Sequence, residues 1–342
     1  RSAARHRHPA DQPVPGGVMF GWNRIADPQS GFLYELSESS LALGLMRNPT
    51  YMPALDDSHL VIGSDYSGQH SGARYEAYSF LVTTSKSISH WIELNSEFRS
   101  KFLQDGRRMS FKRLNDKQRW ISIEYFLENA NNIVGTTFTF LVDRRISTIS
   151  GTKIDEIVNI YSDCFNDGIS NATAEKMFRG ASFVALLLAG LKKEKQSTYW
   201  ISDNDEILDT FDRREGFGKL VSYFTFGLTH WKAPADCHFT TTGNRMAPDW
   251  GEDFCAIPDL VAGTLSNFAH ELPFRQGRSN WETILSRKVE RDPRVRVIGD
   301  WMALQEGQLR HVVFTLEKGF GASAFYFAGA TAKNPYRGSF LL

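Results

Sequence analysis

Three cysteines in 342 residues, Cys164, Cys237 and Cys255, are too few for a disulfide framework. That scarcity argues against a small secreted scaffold and leads to the expectation of a reducing, cytoplasmic setting. Long apolar runs are missing too. The strongest, around 183–191, falls far short of the roughly 20 residues that a membrane-spanning helix needs. Neither sign of charge is in excess: 39 Lys plus Arg stand against 39 Asp plus Glu. The basic surplus that announces nucleic acid is therefore absent, although a basic groove offset by acidic surface elsewhere stays compatible with that ligand. There is no phosphate-cradling glycine loop of the Walker or dinucleotide type, and Ser67 does not sit in a nucleophile elbow. Cys237 and His238 are adjacent, which is not zinc-ligand spacing. The opening RSAARHRHPADQPVPGG has no Met and no secretory pattern, and it is set aside from fold reasoning.

What is present is a core-forming chain. Hydrophobic residues make up 42% and charged residues 23%, so a sizeable core is expected. SESSLALGLM reads as a short helix with Ser37 to Ser40 as its cap region. HLVIGSDY is a first strand, SGQHSG a hairpin turn and RYEAYSFLVTT a second, antiparallel strand. SKSISHWIELNSEFRSKFLQ carries apolar residues at helical spacing. RRMSFKRL reads as a third strand, followed by a helix capped by Asn115 or Asp116. NIVGTTFTFLVD is a fourth strand, a helix covers about 172–191, and STYWISD is a fifth strand. AIPDLVAGTLSNFAHEL is a helix with Pro258 near its first turn. Weaker strand signals follow in VRVIG, LRHVVFTLE and ASAFYFAG. The expected class is α/β, with antiparallel strands first and parallel strands joined by helical crossovers after them. That is the ribonuclease H-like mixed sheet. Residues 1–57 would extend it at the N-terminus, 58–272 would be its core, and 273–342 would be an accessory lobe or a sheet extension.

The chemistry is expected where strands end on carboxylates. Asp65 stops an apolar run dead, and Asp143 ends the fourth strand. In a ribonuclease H-like sheet the first and fourth strands lie side by side, so their carboxylates would come within about 8 Å, close enough for shared or neighbouring cations. Two carboxylates that close repel unless a cation intervenes, and Mg²⁺ or Mn²⁺ suits oxygen ligands. Asp259 would supply a third ligand from a helical first turn, beside a small-residue stripe of Ala262, Gly263 and Ser266. Glu124, flanked at helical spacing by Trp120, Ile121 and Leu127, suits either an inward carboxylate and fourth ligand or a side chain that snorkels to solvent or pairs with an arginine. Asp203 and Asp205 in SDNDE also follow a strand; they suit ligation or a plain acidic loop. An aspartate after a strand also serves simply as a turn former. Arg144 and Arg145 follow a candidate ligand and are the basic residues best placed to contact phosphates.

VIGSDYSG, TFLVDRR and IPDLVAGTL together resemble the bacterial family called domain of unknown function 3800, over roughly residues 58–272. Asp65, Ser67 and Gly68 match its strand–Asp–Glu–Ser–Gly opening, and Asp259, Ala262 and Gly263 match its closing helix. Tyr66 stands where that family carries an acidic residue, and Ala256 stands where it carries glutamine. The resemblance implies a ribonuclease H-like fold and a metal-dependent nuclease acting on RNA or DNA, with a role in phage or mobile-element defence. The departures at Tyr66 and Ala256 keep a second expectation open: a silent nucleic-acid-binding or protein-interaction subunit, working with a protein partner or as a homo-oligomer.

Overall fold

The computed structural model describes residues 22–326 except 24, 26–30, 43–51, 69–71, 167, 194, 206, 230–236, 246, 271–291, 305–306 and 320. The opening segment, the tip of the SGQHSG turn, the end of the SESSLALGLM segment and the last residues of the tail lie outside the described residues. The chain runs α1 (Phe32–Ala42), β1 (His59–Ser67), β2 (Tyr75–Thr84), α2 (Ser85–Phe102), α3 (Lys117–Ala130), β3 (Gly135–Asp143), α4 (Ile154–Ile160), α5 (Asn171–Leu191), β4 (Ser197–Ser202), α6 (Phe211–Leu228), β5 (Cys237–Thr241), α7 (Gly251–His270), α8 (Pro293–Leu304), β6 (Leu309–Glu317) and β7 (Gly321–Tyr326).

The strands form one mixed sheet in the order β5-β4-β1-β2-β3-β6-β7. β2 is antiparallel to β1 and β3, whereas β4 runs parallel to β1, β5 to β4, and β6 to β3. β2 and β3 are buried at every position, as central strands covered on both faces are. On one face Ile62, Phe80, Phe140 and Trp200 pack beneath α5 and α6. On the other, Val61, Ala77, Leu81 and Leu141 pack beneath α2, α3, α7 and α8. α5 is buried almost all round, which its FVALLLAGL run requires of a helix without a polar face. Side chains hold the starts of several helices: Asp116 accepts from Arg119 N in α3 and Ser170 from Thr173 N in α5. Among the described residues no helix is long and apolar enough to cross a membrane.

Four expectations need correction. RRMSFKRL is not a strand; it is a loop with one tight turn at Phe111–Arg113. Its alternation comes from Met109, Phe111 and Leu114 anchoring the loop in the core, not from sheet pairing. VRVIG is helical: Val295, Ile298, Trp301 and Met302 are buried at spacings of three and four, the helical period, which outweighs the β-branched composition. The first helix begins at Phe32, so Ser37 lies inside it, buried, and accepts a hydrogen bond from Trp22 Nε1 at 3.0 Å. Finally, α7 starts at Gly251, which places Pro258 and Asp259 in its middle. The favourable first-turn charge expected of Asp259 therefore does not exist.

Candidate functional site

β1 places Asp65 on the α7 side of the sheet, next to its C-terminal end. The carboxyl is nine-tenths buried. The β1–β4 register ends at Ser64 opposite Ser202, and Asp203 N then donates to Ser64 O at 2.9 Å. This continues the ladder by one step and sets Asp203 beside Asp65 on the neighbouring strand, about 4.8 Å away in the pairing direction. α7 delivers Asp259. It approaches closely because β1 has a glycine beneath it: a β-carbon on Gly63 would lie 2.7 Å from the Phe254 ring. Asp253, fully buried, fixes the start of α7 by accepting from Asn95 and Arg99 of α2.

Charge accumulates at this edge. Burial pushes the Asp65 carboxyl well above the usual carboxylate range, and the negative charges of Asp259, Asp203 and Asp205 push it further. Asp259 is also raised, first by burial, although Phe111 N donates to it at 2.7 Å and Lys112 lies near. Asp203 Oδ1 accepts from Arg108 Nη1 and from Thr242 Oγ1, both at 2.8 Å. Among the described residues no side chain donates to Asp65; its help is the backbone N–H of Tyr66. Tyr66 itself points to the opposite face, where it packs on Tyr78 and Phe80.

The loop around Phe111, expected to be a strand, therefore forms the roof of the site. It supplies Arg108 to Asp203 and Phe111 N to Asp259. Its seat is the small-residue stripe of α7, where a β-carbon on Gly263 would come within 2.4 Å of the Phe111 ring. Gly263→Ala should therefore cost about 1–3 kcal/mol by overpacking. It should also loosen the Phe111–Asp259 hydrogen bond. Chemical denaturation checks the first effect, and hydrogen exchange at Phe111 N the second; unchanged stability would rule out this close packing.

The remaining expected residues lie elsewhere. Asp143 does not end a strand beside β1: β2 intervenes, and Asp65 pairs with Ser79, which pairs with Thr139. With four further residues along β3, the Asp65 and Asp143 backbones are about 16 Å apart, beyond the expected 8 Å. Asp143 has its own cation, since Arg145 donates to it from both backbone and side chain. Burial raises its carboxyl, but the Arg145 contacts outweigh that and hold it below the ordinary range. Arg145 is thus engaged with Asp143, and Arg144 lies 3.9 Å from Glu76. Glu124 is exposed on the outer face of α3, whose buried side is Arg119, Ser122, Ile123, Phe126, Leu127 and Ala130. Trp120 and Ile121, expected to line an inward stripe, are themselves exposed.

No protein-family model matches this chain, and no curated protein matches it.

The charged groups at the Asp65 edge are carboxylates that repel one another, which fits a hard divalent cation better than a soft one, although the buried Cys255 thiol also lies near enough for Asp203 and Asp65 to act on it. The geometry is not closed around such an ion: among the described residues no three Asp, Glu, His or Cys side chains converge to hold a metal. On the opposite face lies a second buried polar cluster that sequence reasoning missed. Arg179 donates to Glu175 at 2.8 Å, to Glu76 at 3.0 Å and to Ile146 O at 2.7 Å. Its visible signal was Glu175 and Arg179, four apart just ahead of the apolar FVALLLAGL run of the same helix.

Proposed function

We propose that this chain is a ribonuclease H-like nuclease that uses Mg²⁺ or Mn²⁺ to hydrolyse a phosphodiester bond in RNA or DNA. The observation that carries the reading is the edge itself: a buried Asp65, Asp203 beside it on the adjacent strand, and Asp259 brought over them by α7. The strand order supports it. Within β3-β2-β1-β4-β5, β2 is antiparallel and β4 and β5 run parallel to β1, the order expected of a ribonuclease H-like sheet. Asp203, directly after β4, rather than Asp143 on β3, extends a strand next to β1.

Asp65, Asp203 and Asp259 do not converge on one point as they stand, and they would have to draw together around the cation to hold it, with Asp205 contributing to the local field. Bound there, a divalent cation supplies a lowered water pKa and stabilises charge on the leaving oxygen. The chain's own groups do the rest. The α7–β1 contact through Phe254 and Gly63 fixes the approach of Asp259, and burial keeps bulk water from screening the carboxylates.

Asp259→Asn is the direct test. The change preserves size, so the fold should persist by circular dichroism, while Mn²⁺-dependent cleavage of single-stranded and duplex oligonucleotides should disappear. Cleavage undiminished in the variant would defeat the three-aspartate site. A second reading, a catalytically silent nucleic-acid-binding or protein-interaction subunit, is favoured by one specific contact: Arg108 already pairs with Asp203, as a retired metal site would permit. Absence of cleavage by the unaltered protein with either metal would favour that reading.

A further inference from the structure

Two cations border the aspartate edge: Lys112 beside Asp259, and Arg108 on Asp203. Arg108 reaches further in. Its guanidinium is 2.8 Å from Asp203, and the charges of Glu252 and Asp65 also act on it. It therefore answers the repulsion of the edge only in part. Asp65 remains nine-tenths buried with no side-chain donor among the described residues.

We propose that Arg108 is a built-in counterion, which holds the site closed until a divalent cation displaces it. This rests on the reading above, that the edge binds such a cation. The two charges compete for one atom, Asp203 Oδ1. The guanidinium is free to leave without unfolding its loop. Its side chain is 36% exposed, against 5% for the core cation Arg179. The loop backbone is held by other means: Met109, Phe111 and Leu114 are buried, and Arg119 Nε donates to Arg108 O at 2.8 Å. A rotation of the side chain alone would expose Asp203 beside Asp65. Thr242 would stay on Asp203 and keep that carboxylate oriented.

The test is Mn²⁺ titration of the full chain, by calorimetry and by the spin-resonance signal of free Mn²⁺. Arg108→Met keeps much of the stem length and removes the charge. Arg107→Met is the control for net charge, because Arg107 pairs with Asp105 and Asp116, away from the site. Removing a charge a few ångströms from the ion should tighten Mn²⁺ binding at least ~10-fold in Arg108→Met. Arg107→Met should match the unaltered protein. Should Arg108→Met fail to fold, Arg108→Gln carries the same expectation. Equal Mn²⁺ affinity in the unaltered protein and the Arg108 variant overturns the counterion proposal while leaving the metal reading intact. No Mn²⁺ binding by any of the proteins overturns both.

Discussion

Arg179→Met is expected to lower stability by about 3–5 kcal/mol, the cost of leaving a buried charge without its partner. Arg179 is only 4% exposed, Glu175 6% and Glu76 9%, so water cannot take over its role. The cation ties α5 to β2 through Glu76 and to the segment after β3 through Ile146 O. Glu175 also accepts from Ile149 N, and Tyr78 donates to Glu76. Removing the guanidinium strands two carboxylates at once. Arg179→Lys should rescue little, because a single ammonium cannot span three acceptors in the fork geometry. Replacing Glu76, Glu175 and Arg179 together by apolar residues of similar volume should recover much of the loss. Urea denaturation measures all three, and a loss below about 1 kcal/mol for Arg179→Met would place the cluster among weak surface pairs instead.

Asp65→Asn should behave in the opposite sense, becoming more stable and losing function. Its folded-state affinity for a proton is raised by burial and by three aspartates. A carboxyl so raised holds its proton more tightly when folded than when unfolded. Its contribution to stability is complete below the unfolded value and is lost as pH rises through the folded one. In metal-free buffer the variant and the unaltered protein should therefore unfold alike in acid, and the variant should gain as pH rises above the ordinary carboxylate range. Neutralising an under-partnered buried charge is worth on the order of 1–3 kcal/mol. Under the proposed function the same change should cut Mn²⁺-dependent cleavage by ~10³-fold or more, the loss of several kcal/mol of charge stabilisation. Thermal melts across pH, beside a cleavage assay, read both effects. A variant destabilised at neutral pH would mean that Asp65 serves the fold rather than a ligand.

Legibility from sequence followed how local each feature was. Asp65 was readable because an apolar run that stops on an aspartate is a local pattern, and Asp259 because small residues follow it at helical spacing. Asp203 is equally visible as a strand-ending acid, but the expected strand order sets Asp143 beside Asp65 instead. One false strand caused that. RRMSFKRL alternates because three of its side chains anchor a loop, and periodicity cannot tell an anchored loop from a paired strand. Counting it shifted every later strand by one place. For Glu124 the solvent-facing alternative holds, because its helix presents Trp120, Ile121 and Tyr125 outward and apolar neighbours do not mark the inner face. The Arg108 contact was out of reach, because its partner is 95 residues away and only the register of β4 brings it near.

The roof over the aspartates has a consequence in time. Phe111 and its acceptor Asp259 are 148 residues apart. At about 5–20 residues per second a ribosome needs roughly 7–30 s to make the second after the first. Through that interval Met109, Phe111 and Leu114 have no α7 to rest on, and the three aspartates do not yet share an edge. A chain cut short ahead of α7 would keep the arginine loop without the helix that seats it. It would present those apolar anchors to chaperones or to other nascent chains rather than to its own core.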